Sequence, residues 1–120
     1  MLLSNNYFRF LAFLFVIFYT DTMAFGQKKK IAKLPDHLKE ISGLTFLNDT
    51  VLIAHNDSGN DAILYFLNLK GKQIHSIRVE NATNKDLEDI TSDGKGTIYI
   101  GDIGNNKNDR TDLCIYKING

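Results

Sequence analysis

The chain has 120 residues, with 14 Lys+Arg against 14 Asp+Glu and a formal net charge of zero. That balance excludes the one-signed field that steers proteins onto nucleic acid or an anionic membrane. The only cysteine, Cys114, excludes an internal disulfide and a cysteine-based zinc site, and its place in the apolar run Leu113 to Ile118 reads as a buried, inert thiol.

Residues 1–26 read as a secretory signal. Arg9 supplies a weak positive start, Phe10 to Tyr19 is an apolar run of ten residues, and Ala24-Phe25-Gly26 offers small residues for a cut before Gln27. Ten apolar residues are short of the roughly 20 needed to span a bilayer. The expected location is therefore secreted or periplasmic, with no stable membrane anchor after cleavage. Lys28, Lys29 and Lys30 put positive charge on the far side of the run, which keeps an uncleaved anchor open as the alternative. Residues 27–37 form a basic lead-in, expected as a short linker, that contains the only proline, Pro35.

From Ile41 onward the pattern is one of short strands separated by turn residues. Strands are expected over Ile41–Phe46, Val51–His55, Ala62–Leu69 and Gln73–Val79, then over Leu87–Ser92, Thr97–Gly101 and Leu113–Ile118. The breaks fall at Asn48-Asp49, Lys70-Gly71-Lys72 and Asp93 to Gly96, where Asn, Asp and Gly suit tight turns. Ile63 to Leu67 shows no alternation with polar residues, as expected of a strand covered on both faces.

The two groups of strands are copies of one another. Glu40-Ile-Ser-Gly-Leu aligns with Glu88-Asp-Ile-Thr-Ser at an offset of 48, Thr50 with Thr97 at 47, and Tyr65 with Tyr116 at 51. A period of about 40–50 residues built of short strands is the mark of a β-propeller blade. The predicted fold is all-β: a partial propeller domain over 38–120, with four-stranded antiparallel blades at 38–80 and 86–120, the second incomplete. Rings of this kind take about four to eight blades. The expectation is an N-terminal fragment that needs its remaining blades, or other copies, to close a ring.

Blade geometry gives the loops their meaning. The entry to the first strand and the loop between the second and third share one mouth of the blade. There the sequence places Glu40, His55, Asn56 and Asp57, then Asp86, Glu88, Asp89, Asp102, Asn105 and Asn106, with Arg110 following. Converging carboxylate and amide oxygens are what Ca²⁺ prefers, so Glu40, Asp57, Glu88, Asp89, Asp102, Asn105 and Asn106 are candidate cation ligands. His55, Asn56, Asp57 and Arg110 are candidates for holding a polar ligand. The same side chains equally suit an architectural role, bonding loop backbone and holding blades in register. No nucleophile–base pair is visible in the sequence, so no catalytic residue is assigned.

The motifs Glu40-Ile-Ser-Gly-Leu, His55-Asn-Asp-Ser-Gly-Asn, Asp86-Leu-Glu-Asp-Ile and Gly101-Asp-Ile-Gly-Asn-Asn…Arg110 resemble the opening blades of a group of secreted bacterial β-propeller repeat proteins. That group is mostly uncharacterised and distantly similar to six-bladed propellers of the NHL, TolB-like and phytase-like kinds. The resemblance runs from Leu38 to Gly120, and it departs from the group at Leu87, where a Trp is usual. It implies a binding or structural role around acidic axial loops, with Ca²⁺ as the cofactor it allows. Likeness to the phytase-like kind implies, as an alternative, a metal-dependent phosphoester or ester hydrolase using Glu88, Asp89 and Asp102. A two-blade subunit that oligomerises into a lectin-like ring is the remaining alternative.

Overall fold

The computed structural model describes residues 29–120. The expected signal segment, 1–26, lies outside the described residues. A single 3₁₀ turn, Asp36–Leu38, leads into β1 (Ile41–Asn48), β2 (Val51–Asn56), β3 (Ile63–Asn68) and β4 (Gln73–Arg78), then β5 (Leu87–Ser92), β6 (Ile98–Asp102) and β7 (Cys114–Ile118). The first four strands form one antiparallel meander in sequence order, and the last three form a second. Over the described residues the protein is all-β, an open four-stranded antiparallel sheet followed by an open three-stranded one. Every predicted strand is present, with ends shifted by a residue or two.

The turns that fold these meanders are closed by their own side chains. Asn48 Oδ1 accepts from the backbone N–H of Thr50 and Val51, and Asn68 Oδ1 accepts from those of Lys70 and Lys72. Asp93 Oδ1 does the same for Lys95 and Thr97, and its carboxyl is held below the ordinary carboxylate range by those bonds. Each oxygen satisfies N–H groups that no ladder can reach, which is why Asn and Asp occupy these positions.

Register decides which faces meet. Opposed residues in an antiparallel pair share a face. Ile53 opposes Phe66, and Leu64 opposes Ile77, so these four lie on one face of the first sheet. In the second sheet Ile90 opposes Ile100, and Ile100 opposes Tyr116, on the face turned toward the first. Ile53, Leu64, Leu87, Ile90, Ile98 and Ile100 form the core between the sheets, with Leu47, Phe66, Ile77, Val79, Tyr116 and Ile118 packed around it. Full burial of each large aliphatic side chain contributes about 1.5–3 kcal/mol, so this layer is the main stabilising element of the stack.

The opposite face of the first sheet is covered by the lead-in. Leu38 is buried with Ala54 and Leu67, and Leu34, Ile41, Leu52 and Tyr65 pack around them. The segment expected as a linker is thus laid on the sheet, and Asn56 Nδ2 ties it down by donating to the His37 carbonyl at 3.0 Å.

The structure also revises the alignment of the two copies. Each sheet has a bulge just after its first bridge: Ile41 opposes Asn56 and Gly43 opposes His55, while Leu87 opposes Asp102 and Asp89 opposes Gly101. Ile41 therefore corresponds to Leu87, which makes the offset 46 on these strands where the sequence alignment placed it at 48. Glu40 corresponds to Asp86, and Ser42 to Glu88. The sequence alignment matched carboxylates, whereas the sheets match bulges.

The bulge in β1 needs Gly43. A Cβ there would overlap the ring of His55, which is 1% exposed and lies across the glycine. His55 is held from its other side, with Nδ1 3.1 Å from the Asn56 carbonyl.

Candidate functional site

The loops at one end of the stack converge where the two sheets meet. Asp57 follows the last residue of β2, and its backbone N–H donates to the Glu40 carbonyl at 2.8 Å. Asp86 precedes β5, and Gly104 N–H donates to the Asp86 carbonyl at 3.0 Å. Each sheet thus prolongs its ladder past the strand ends, which carries the acidic loops outward from a fixed base.

Asn84 bolts the two sheets together at this point. Its Nδ2 donates to the carbonyls of Asn56 at 3.2 Å and Asp57 at 2.8 Å, while its Oδ1 accepts from Leu87 N–H at 3.1 Å. Ser42 Oγ adds a second tie by donating to the Leu87 carbonyl at 2.5 Å. The result is that Asp57 of the first sheet and Asp86 and Glu88 of the second each offer a carboxylate oxygen, and these three oxygens lie within 4.8 Å of one another. Asp57 and Asp86 are half-buried and Glu88 is exposed. None of the three belongs to an ion pair among the described residues. Like charges this close repel one another, and a cation between them would offset that repulsion.

Gly104 makes the placement of Asp86 possible, because a Cβ at that position would overlap the Asp86 carboxyl. Asp102 supports the same loop from beneath. It is 1% exposed, its Oδ1 accepts from Asp86 N–H at 3.0 Å, and the same oxygen takes Arg110 Nη1 at 2.8 Å. Arg110 also donates to the Gly104 carbonyl and to Asp112, and its pKa is raised, first by its bond to Asp102. Lys85 pairs with the other oxygen of Asp112. Together Lys85 and Arg110 hold the Asp112 carboxyl down to about 2, against an ordinary 3.8.

The candidate residues from the sequence therefore separate. Asp57 and Glu88 meet, and Asp86, on the same mouth but outside the candidate ligand set, joins them. Glu40 sits at this end too, but its carboxylate accepts from Asn60 Nδ2 at 3.1 Å. Asp89 Oδ1 accepts from the neighbouring Ile90 N–H. Asp102 and Arg110 form the supporting ion pair, and Asn105 Oδ1 closes its own loop by accepting from Asp109 and Arg110 N–H. Asn106 is exposed in that loop. His55 and Asn56 are buried between elements and do not open onto the acidic mouth.

One pairing invites a catalytic reading. Ser42 Oγ lies 3.5 Å from His55 Nδ1, the arrangement of a nucleophile and its base. Here the hydroxyl proton is committed to the Leu87 carbonyl and the imidazole is sealed under Gly43, so the pair joins the sheets and offers no approach to a substrate.

Asn84 was missed in the sequence reading. It sits in the polar stretch Asn81 to Lys85 between the two sheets, where its three bonds depend on backbone groups of both. Comparison of the chain with protein-family models, with curated proteins and with solved structures gives no match.

Proposed function

We propose that this chain is an exported binding module made of consecutive propeller-type blades, and that it holds a divalent cation, Ca²⁺, at the junction of its two sheets. The observation that carries the reading is the meeting of Asp57, Asp86 and Glu88 from two different sheets with oxygens inside 4.8 Å. Three carboxylates can offer up to six oxygens, which is within the six to eight that Ca²⁺ takes, the rest coming from water. Hard oxygen donors without thiolate or imidazole favour Ca²⁺ or Mg²⁺ over zinc.

The corrected register strengthens this reading over a purely architectural one. An architectural device should recur in both copies. At the structural offset, Asp57 corresponds to Ile103, Asp86 to Glu40 and Glu88 to Ser42. Asp57 and Glu88 thus have no acidic counterpart in the other sheet among the described residues, whereas Asp86 has Glu40.

Bound cation would draw the sheets together across the mouth and order Glu88. Affinity in the range of extracellular modules, about 10⁻⁴–10⁻³ M, fits an exposed site with so few protein ligands. Calcium at about tenfold above that constant stabilises the folded chain by about 1.4 kcal/mol and raises Tm by roughly 5–10 °C. Titration calorimetry and thermal melts with Ca²⁺ and with chelator test this. Asp57→Asn and Glu88→Gln should abolish the heat and the Tm increase while leaving the chelator Tm unchanged or higher. Glu40→Gln should keep both. A wild-type chain that gives neither heat nor a Tm change with Ca²⁺ refutes the proposal.

A further inference from the structure

Zero net charge describes the whole chain and not its two ends. The loops that carry Asp57, Asp86 and Glu88 lie at one end of the strands, and the β1–β2, β3–β4 and β5–β6 turns lie at the other. At the turn end the lead-in runs against the β3–β4 turn. A Cβ on Gly71 would stand 2.8 Å from Ala32 Cβ, and 3.3 Å from both Leu34 Cδ2 and the Lys33 carbonyl oxygen. Lys33 is thereby brought beside Lys70 and Lys72, which flank Gly71, and Lys29 and Lys30 precede it by four and three residues.

All five lysines are exposed, and none belongs to an ion pair among the described residues. The stretches 29–34 and 69–74 contain no acid, and the acids of the turn end, Asp49 and Asp93, belong to the other two turns. Residues 1–28 hold a single acid, Asp21, against Arg9 and Lys28, so the upstream chain has no charge with which to neutralise the patch. Apolar side chains are set among the lysines. Ile31 is 80% exposed and Leu69 45% exposed, and each is next to a lysine. Asn68 Oδ1 accepts from the backbone N–H of Lys70 and Lys72, so the turn presents its side chains from a fixed base.

We infer that the lead-in and the β3–β4 turn together dock on an anionic lipid bilayer. Lys29, Lys30, Lys33, Lys70 and Lys72 meet the headgroups, while Ile31 and Leu69 enter the interface. Each lysine held at such a surface raises partition about fivefold, and the apolar side chains add an attraction that salt does not screen. Composition favours lipid over another polyanion. The stretches 29–34 and 69–74 pair lysine with aliphatic side chains and contain neither arginine nor an aromatic ring, the residues that fork onto phosphates and stack on bases. Chain order favours it too. The apolar run Phe10 to Tyr19 ends ten residues before Lys29, at most about 35 Å of extended chain, so the patch is the part of the fold nearest the segment expected to enter a bilayer. This inference is independent of the cation site, which lies at the other end of the strands.

The test is co-sedimentation of the full chain with vesicles of phosphatidylcholine alone and of phosphatidylcholine mixed with phosphatidylglycerol. Chelator is present throughout, so that no cation bridges the acidic mouth to lipid. The apolar run 10–19 acts alike on both kinds of vesicle, so the ratio of the two partition coefficients isolates the patch. The wild type should favour the anionic vesicles, and added salt should remove that preference. Lys70→Gln combined with Lys72→Gln should lower the ratio about 25-fold and leave the circular dichroism spectrum unchanged. Lys107→Gln, at an exposed lysine in the loop after β6, should keep the wild-type ratio. A wild type with no preference between the vesicles overturns the inference. So does a double variant that keeps the preference, a Lys107→Gln chain that loses as much as the double variant, or a wild type that ignores both vesicles and is retained on duplex DNA.

Discussion

The packing of one sheet on the other is tested most directly by truncating one residue from each. Leu64 is fully buried in the first sheet, Ile100 is 2% exposed in the second, and the two line the same apolar space with Leu87, Val79 and Tyr116. Leu64→Ala removes about three methylene-sized groups, worth about 2.4 kcal/mol in transfer alone, and the cavity left behind brings the loss to about 3 kcal/mol. Ile100→Ala should cost about the same. For a folded unit of this size each loss lowers Tm by about 12–24 °C. The decisive quantity is the coupling between them. Side chains that share a cavity depart from additivity by about 0.5–3 kcal/mol, and here the double variant should lose less than the two singles together because the second truncation removes contacts already gone. Urea denaturation of the four proteins gives the cycle, and Ile74→Ala, at a residue 53% exposed, gives the surface baseline. Additive losses within the error of the fits would mean that the two residues do not face each other across the sheets, and the stacked arrangement would be wrong.

Two further outcomes follow from local geometry. Gly43→Ala forces a Cβ into the buried His55 ring, which cannot swing away from Ser42 and the Asn56 carbonyl, so calorimetric melting should show a loss of about 1–3 kcal/mol; a wild-type Tm would show the ring to be free. Asp112, held at about 2 by Lys85 and Arg110, has a folded pKa below its ordinary 3.8, so its ion pairs contribute above about pH 4 and are lost as pH falls through about 2. Carboxyl NMR titration should place its midpoint near 2 in the wild type and closer to 3.8 in Lys85→Ala, and an unchanged midpoint in that variant would remove Lys85 as the first cause.

Strands and turns were legible in the sequence because their causes are local. The apolar run Ile63 to Leu67 marks a strand buried on both faces, and it is covered on one side by the second sheet and on the other by the lead-in. Asn48, Asn68 and Asp93 announce turns because each closes one with its own side chain. The register of the repeat was less legible. Glu40 and Glu88 match as letters, but a bulge is set by how two strands pair, and Gly43 and Asp89, which follow the bulges, share no side-chain chemistry. The mouth was found as a region and only partly as a ligand set. Its outer carboxylates are sorted by one bond across the sheets, Asn84 Nδ2 to the Asp57 carbonyl, and one within the second sheet, Asp86 N–H to Asp102, and no spacing in the sequence encodes them. The covering role of the lead-in was hidden for the same reason, since Leu34 and Leu38 sit among lysines and show no period.

The self-closed turns bear on how the chain reaches its native state. Asn48, Asn68 and Asp93 each fix a reversal of the chain with bonds spanning no more than four residues, so the β1–β2, β3–β4 and β5–β6 hairpins can zip without help from a distant partner. Contacts that bridge long stretches of chain, such as Ser42 to Leu87, come only when finished sheets collide. The slow, entropy-limited event in assembling this molecule is then the docking of preformed meanders, and the polar ends that look incidental to stability act as the pacemakers of what precedes it.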